Sequence, residues 1–471
     1  MNQGFRPLRL RPLAAAWLAT AALAGGALPA VAQEGQDARA AAAKAGLEAA
    51  ASGVKQDLLT IYQEALANDA SFASARYLSQ ANQERTPQAR AGLLPQVGLG
   101  GSAGWANADS TSPISIGDSW KVAGGSLSLV APLYRPQAWE TYEQAKLVVV
   151  QSDANFGAAR QDLILRTATA YFGVLAARDQ LLYLEAAKKA TLEQLAQAKR
   201  EFEVGTKTII DTNEAQARFD QINAQEQVAL GQLLVARSQL QSLIGREPAT
   251  LASLRDRPNL PGPQPAELTP WVKSAEDGNF AVQIARAGSE IANRELQKAK
   301  DGHKPTVDFV AGYNYNHFDG RVPVERAYNA RNGNVGIQLN LPIYSGGFTQ
   351  SRVRETLALD DKARADLEAA RRAAATSARD AFTGVSYGLS QVAALESAEV
   401  SAKTQLESTQ LGYQVGVRIL LDVLNATTQL YQTQRDLKQA RYNVLLNGLR
   451  LKATTASLSE PDLAAVNGLL Q

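Results

Sequence analysis

Residues 339–344 read LNLPIY and residues 129–134 read LVAPLY, so one short pattern occurs twice, 210 residues apart. A second pair of stretches is related in the same way. FEVGTKTIID at 202–211 matches YQVGVRILLD at 413–422, with an offset of 211. This period is much longer than the roughly 20–50 residues of a solenoid repeat. The chain is therefore predicted to contain two copies of one complete structural unit.

The stretches around the first motif alternate apolar and polar residues, which is the pattern of a β-strand. In the second half Val335, Ile337 and Leu339 lie on one face, and a similar strand begins near Val307; the first half repeats this pair more weakly. The other face is rich in Gly, Ser, Asn and Gln and carries few charges. Such strands favour an outer-membrane barrel over a soluble half-buried sheet, which remains the alternative. Aromatic residues lie near the strand ends: Trp105, Trp120, Tyr134, Tyr313, Phe318 and Tyr344.

Two long proline-free runs follow the strands, at 137–203 and 347–414. At ~1.5 Å per residue, a run of about 67 residues would form a helix ~100 Å long. Both runs keep a seven-residue apolar spacing, with one charged exception in each, Lys188 and Glu399. The spacing predicts two equivalent coiled-coil arms, each followed by a Val-Gly turn and a return helix. The apolar positions are Val174, Leu181, Leu195 and Phe202, then Val385, Val392, Leu406 and Tyr413.

The N-terminus is typical of a secretory signal peptide. Arg6, Arg9 and Arg11 precede an apolar run, and Ala-Val-Ala at 30–32 provides a cleavage site. Removing residues 1–32 leaves 45 Lys and Arg against 46 Asp and Glu, so the balance gives no indication of nucleic-acid binding. The absence of cysteine excludes disulfides, thiol chemistry and a lipid attached through Cys. No later segment has the roughly 18 apolar residues of a membrane helix, so a membrane crossing would need strands.

The remaining segments follow from composition. Six prolines between 246 and 270 cannot continue a helix and are predicted to separate the two repeats. Short helical stretches are expected at about 58–92 and 271–301. The predicted organisation is a signal peptide (1–32), an alanine-rich extension (33–56), a first repeat (57–245), a proline-rich segment (246–270), a second repeat (271–455) and a C-terminal tail (456–471).

Four strands per chain cannot close a barrel, because the smallest known barrels have about eight. Open sheet edges cannot face hydrocarbon, so strands that cross the membrane must be shared between protomers. Rotational symmetry would then place the helical arms in a ring that continues the barrel as a tube. The sequence thus predicts a shared barrel on a helical cylinder, without fixing the number of subunits.

The repeated motifs resemble those of the TolC family of outer-membrane efflux and secretion channels. The resemblance is carried by LNLPIYSGG at 339–347, LVAPLYRPQAW at 129–139 and VGVRILLDVLNA at 415–426, and it covers about 57–455 in order. It implies an α+β membrane protein. In this fold a homotrimer forms a 12-stranded β-barrel, with four strands per protomer, continued by a long α-helical coiled-coil tunnel in the periplasm.

The resemblance also implies a passive exit duct in the outer membrane, with no enzymatic activity and no cofactor. Its implied partners are two further copies of the chain, outer-membrane lipid, a periplasmic adaptor protein, and an inner-membrane ABC transporter or proton-driven pump. Nucleic acid is not among them. The missing lipid-bearing cysteine favours type I protein secretion over drug efflux, although the cargo is not encoded in the sequence.

Site residues are implied at the tips of the two helical hairpins. The turns Val204-Gly205 and Val415-Gly416 would receive the adaptor. Tyr413 and Arg418 match gate residues that tie the second hairpin to Asp211 on the first. The Arg418 tie is expected to be the stronger one, because its bonds are charge-assisted. Asp422 matches an acid that rings the constriction, and Asn425 stands where the best-known member has a second acid.

Two other functions remain possible at this point. A soluble periplasmic coiled-coil adaptor or structural protein is the alternative, and it would be extracted by salt rather than detergent. An enzyme is disfavoured, because the sequence shows no constellation of acid, base and nucleophile. GVSYG at 384–388 matches a nucleophile motif but lies inside a predicted helix with no preceding strand.

Overall fold

The computed structural model describes residues 55–110, 116–206, 208–319 and 327–471. The predicted signal peptide and nearly all of the alanine-rich extension lie outside these residues. The strands are β1 (Gln96–Ser110), β2 (Ile116–Tyr134), β3 (Thr306–Asp319) and β4 (Tyr328–Asn340). The helices are α1 (Leu58–Asn68), α2 (Ala70–Gln83), α3 (Arg85–Ala91), α4 (Pro136–Glu203), α5 (Ile209–Ile244), α6 (Leu268–Gly278), α7 (Phe280–Lys300), α8 (Phe348–Gln414), α9 (Leu420–Thr454) and α10 (Glu460–Asn467).

The four strands form one antiparallel sheet in the order β1-β2-β3-β4, so the central pair joins the two halves of the chain. The register places Leu99 opposite Leu127, and Leu127 opposite Tyr313, which confirms the predicted alternation. The apolar face is uncovered within one chain: Leu99 is 86% exposed and Val335 is 75% exposed. β1 and β4 are the two edges of the sheet.

The two long helices are confirmed, since α4 and α8 begin and end within one residue of the predicted runs. Helix α4 begins with Pro136, whose fixed φ suits the first helical position. Most apolar heptad positions are buried, but Phe202, in the last turn of α4, is 43% exposed. Both charged exceptions have partners on the return helix: Lys188 lies 2.5 Å from Glu226, and Glu399 accepts a hydrogen bond from Gln434.

The short helical stretches are broken more often than predicted. The stretch expected at 58–92 is three helices, because Asp69 both ends α1 and caps α2 through its side chain, which accepts from the Phe72 N–H. Asn279 separates α6 from α7 in the same way. The C-terminal tail also contains a helix, α10, which begins with a capping box between Ser459 and Asp462.

The main core lies where the proline-rich segment crosses the helices. The Tyr171 hydroxyl donates to the backbone carbonyls of Gln56 and Ala252, and Arg246 pairs with Glu64. From Tyr171 to the end of α4 the helix runs another 32 residues, or ~48 Å, so the hairpin tips lie far from this core. No helix in the described ranges is both long enough and apolar enough to cross a membrane. The core includes Leu58, Ile61, Leu163, Phe172, Leu240, Ile244, Leu254, Tyr442 and Leu463.

Candidate functional site

The two hairpin tips end in glycine turns with the same conformation. Gly205 follows α4 with φ +75°, and Gly416 follows α8 with φ +84°. This left-handed conformation is open to glycine and strained for residues with a Cβ, above all β-branched ones. A Cβ added at either position would meet nothing within 4 Å, so within one protomer the requirement comes from the backbone and not from crowding.

The tips present apolar side chains to solvent. Val204 is 73% exposed, Val415 is 66% exposed and Val417 is 76% exposed. Ile210 and Ile419, at the start of the return helices, are also more than half exposed. Exposed apolar side chains of this kind are common on surfaces that take part in protein–protein contacts.

A small core just behind the tips holds the two hairpins together. Tyr413 is only 7% exposed, and its ring lies in this core. Because the ring is fixed by packing, the hydroxyl has a defined position at the edge of the core. The core draws on α4, α5, α8 and α9: Leu195, Ala198, Ala215, Tyr413, Leu420, Val423 and Leu424.

The Tyr413 hydroxyl donates to Oε2 of Glu201 at 2.6 Å, one turn before Gly205. Within one protomer the acceptor of this hydrogen bond is thus Glu201, whereas the sequence predicted a tie to Asp211. Asp211 is held elsewhere, because its carboxylate accepts from the backbone N–H and the hydroxyl of Thr208 in a capping box at the start of α5. Glu201, which the sequence interpretation missed, takes its place on the same hairpin.

Three effects raise the pKa of the Tyr413 hydroxyl: burial first, then its hydrogen bond to Glu201, and then the negative charges of Glu201 and Asp211. A raised tyrosine pKa means that the neutral form is favoured in the folded protein. The stabilisation from this bond is therefore fully present below the ordinary tyrosine pKa and is lost only in strongly alkaline solution. The hydroxyl remains a donor at all physiological pH values.

Within one protomer, Arg418 forms an ion pair with Asp422 on its own hairpin, whereas the prediction was a tie to Asp211. Its guanidinium lies 3.6 Å from Asp422, one turn along, and the two side chains are 62% and 37% exposed. Such exposed pairs are worth ~0–1 kcal/mol, whereas hydrogen bonds to a charged group are worth ~1.5–3 kcal/mol. Within one protomer the Tyr413–Glu201 bond is therefore the stronger of these two contacts, whereas the sequence favoured Arg418.

Among the positions at which the two tips differ, one accounts for the different partners of Asp211 and Asp422. Thr208 precedes α5 and engages Asp211, but Ile419 precedes α9 and has no side-chain oxygen. Helix α9 consequently has no side-chain cap, and Asp422 in its first turn forms an ion pair with Arg418 instead. Asp422 still stabilises the helix there, because a negative charge suits a helix N-terminus.

Asn425 makes a contact between the hairpins that the sequence interpretation missed. Its side-chain oxygen accepts from Arg218 on α5 at 2.8 Å, and Arg218 also donates to Gln221. A cation therefore lies beside the position at which a second acid was considered. Within the described parts of the chain, no group of three or more His, Asp or Glu side chains is placed to hold a metal ion.

The comparisons with known proteins concern the family and the fold of the whole chain. The family model described as outer membrane efflux protein matches residues 61–246 and 271–457, which leaves the proline-rich segment between its two matches. The chain is 33% identical to outer membrane protein TolC of Escherichia coli, over 88% of this chain and 85% of the relative. It is 31% identical to alkaline protease secretion protein AprF of Pseudomonas aeruginosa, over 87% and 86%.

A solved structure shows the same fold. The outer membrane protein VceC of Vibrio cholerae superposes with a TM-score of 0.72 at 19% identity, covering 85% of this chain and 96% of that one. The family model covers both halves of the chain in order, and the curated relatives cover most of its length. The chain therefore belongs to the outer membrane efflux protein family.

Proposed function

We propose that three copies of this chain form an export duct, in which the strands cross the outer membrane and the helices extend into the periplasm. As a member of its family the chain is an outer-membrane channel for efflux or secretion. The observation that carries the shared barrel is the sheet in the described part of one chain, with its four strands, two open edges and uncovered apolar face. The number of three subunits comes from the family resemblance. An open edge would expose unpaired backbone N–H and C=O groups to lipid, so β1 of one protomer must pair with β4 of the next.

The first prediction is that the protein extracts from the outer membrane only with detergent and does so as a trimer. Mild cross-linking of the detergent extract, followed by mass measurement, checks this directly. Monomers alone in the cross-linked extract would contradict the shared barrel. Extraction by salt would instead favour the soluble adaptor, although none of the relatives compared above is an adaptor.

The hairpin tips are proposed as the gate and as the docking site of the adaptor. Exposed valines at both glycine turns supply the apolar contact, and Tyr413, Glu201 and Arg418 hold the hairpins in their resting arrangement. The partners would be a periplasmic adaptor and an inner-membrane ABC transporter or proton-driven pump that supplies the energy. The relatives include the secretion proteins AprF and PrtF, which supports protein as a cargo of this chain.

A second prediction concerns Asp422, which we place near the axis of the proposed trimer. Three carboxylates around a narrow opening attract cations, and low dielectric walls concentrate that field. Asp422→Ala should therefore lower the cation preference of the channel and weaken its block by multivalent cations, as measured from reversal potentials in planar bilayers. Asp436→Ala, which removes an exposed acid about four helical turns further along α9, is the matched control. Equal selectivity in the two variants would show that Asp422 does not line the constriction.

A further inference from the structure

The apolar face of the sheet ends, on the side away from the helices, in a group of cations and aromatic rings to which the proposed function assigns no role. The strand register fixes the order of the cross-strand rows on this face. Starting near the helices, the rows are Val97-Leu129-Ala311-Val335, Leu99-Leu127-Tyr313-Gly333, Gly101-Gly125-Tyr315-Arg331, Ala103-Ala123-His317-Asn329 and Trp105-Lys121-Asp319. The first two rows are almost entirely apolar, whereas the third and fifth rows carry the charges and the fourth is polar on β3 and β4. We call Lys121, Tyr315, His317, Asn329 and Arg331, with Trp105, the outer cationic cluster.

Arg331 is held in place by its neighbours in this cluster. Its guanidinium carbon lies 5.8 Å from the centroid of the Tyr315 ring, which is a cation–π distance. The Tyr315 hydroxyl donates to the side-chain oxygen of Asn329 at 3.0 Å, and Nδ1 of His317 lies 2.8 Å from the same oxygen. Arg331 forms no ion pair with any residue that the structure describes. A fixed cation without an acidic partner is thus presented on the apolar side of the sheet.

The level of the cluster matches a membrane interface. Val307 lies on the same face near the helices, and eight residues separate it from Tyr315. At ~3.3 Å per residue and a tilt of about 40°, this is roughly 20 Å of height, close to the ~25 Å apolar band of a barrel. A charged side chain at that height costs far less than one at the midplane. Aromatic residues such as Trp105, which is 76% exposed, are enriched at the same level.

The cluster is flanked on one side by short side chains. Tyr315 and His317 on β3 lie between the two cations. Next to them on β2 and β1 lie four small residues, Gly125, Ala123, Gly101 and Ala103. The Cα atoms of the two cations are separated by two strands and four residues, or roughly 16 Å. Asp319 lies opposite Lys121 and offsets part of its charge, so Arg331 is the stronger of the two anion sites.

We propose that the outer cationic cluster binds a phosphorylated lipid of the outer leaflet. Phosphate oxygens would contact Arg331 and Lys121, and the acyl chains would lie along the apolar rows below them. Anionic headgroups are attracted by such cations, and a planar guanidinium offers them paired donors. The inference rests on the proposed function in one respect, because it requires this face of the sheet to lie in the membrane.

The test measures lipid binding to the detergent-purified, delipidated full-length protein by native mass spectrometry. The probes are bisphosphorylated lipid A and the same lipid with both phosphates removed. The parental protein should bind the phosphorylated probe at up to one copy per protomer and should bind the dephosphorylated probe much more weakly. Since each cation contributes about 5-fold to anionic-lipid affinity, Lys121→Gln with Arg331→Gln should weaken binding by about 25-fold.

Arg354→Gln is the matched control, because it removes one exposed cation from α8, outside the strands, and should leave binding unchanged. Arg331→Lys keeps the charge but loses the paired donors, so it should give an intermediate loss. Equal binding of the two probes, or parental binding by the double variant, would overturn the lipid site. The mass of each protein–detergent complex is read in the same experiment. A monomeric parental protein would contradict the proposed trimer, whereas a trimer without phosphate-dependent binding would contradict this site alone.

Discussion

Replacing Gly416 with valine is expected to reduce export about tenfold or more while the trimer still assembles. Gly416 has a φ of +84°, and a β-branched residue in the left-handed region costs ~1–2 kcal/mol or more. The cost applies to every protomer at the tip, where the turn between α8 and α9 presents Val415 and Val417. The strained turn would shift these side chains and with them the proposed adaptor contact. The measurement is secreted cargo per trimer, with the trimer quantified in the membrane fraction.

Gly416→Asn is the informative control, because asparagine tolerates the left-handed region although it carries a Cβ. If the turn needs only its backbone conformation, the Asn variant should retain most export. Loss in both variants would indicate that the partner approaches the turn too closely for any side chain. Full export by Gly416→Val, and by the equivalent Gly205→Val, would remove the tips from partner recognition.

Tyr413→Phe combined with Arg418→Ser should raise single-channel conductance several-fold in planar bilayers. The phenylalanine ring keeps the packing of the small core behind the tips and removes only the hydroxyl that donates to Glu201 at 2.6 Å. The serine removes the exposed pair with Asp422. We expect Tyr413→Phe alone to give the larger share of the increase, because the charge-assisted bond is the stronger tie.

Glu201→Gln is the matched variant for this gate. It removes the charge but leaves an amide oxygen that accepts from Tyr413, so its effect should be smaller than that of Tyr413→Phe. The resting conductance of the parental protein should not change between pH 6 and pH 8, because the tyrosine remains protonated there. Unchanged conductance in the double variant would mean that these residues are ordinary helix-face positions near a turn.

The long elements could be predicted from sequence because their signals are periodic and uninterrupted. Proline-free runs with heptads predicted the bounds of α4 and α8 within one residue, and alternation predicted the four strands, more weakly in the first half. The breaks at Asp69 and Asn279 were not predicted, because each depends on one polar side chain that turns to cap a backbone N–H. The hydrogen bond from a capping side chain to the backbone competes with the helix that the neighbouring residues favour. The outcome is decided locally.

The tip contacts were predicted less well than the positions themselves. The repeat placed Tyr413 beside the Gly416 turn and Asp211 beside the Gly205 turn. Which carboxylate accepts from the Tyr413 hydroxyl depends, however, on the other hydrogen bonds of each acid. Thr208 donates to the Asp211 carboxylate, whereas Glu201, one turn before Gly205, accepts from Tyr413. The Arg218–Asn425 contact crosses between hairpins 207 residues apart, a separation for which a single sequence gives no signal.

The exchange of Thr208 for Ile419 at equivalent positions has a consequence for how the two duplicated hairpins divide their roles. A capped helix start is more stable than an uncapped one by ~1 kcal/mol, so the first turn of α9 unwinds more readily than that of α5. In the proposed trimer this difference occurs three times around one ring. The two hairpins share one architecture, but this cap position makes the second of them the part of the proposed mouth that is more easily displaced.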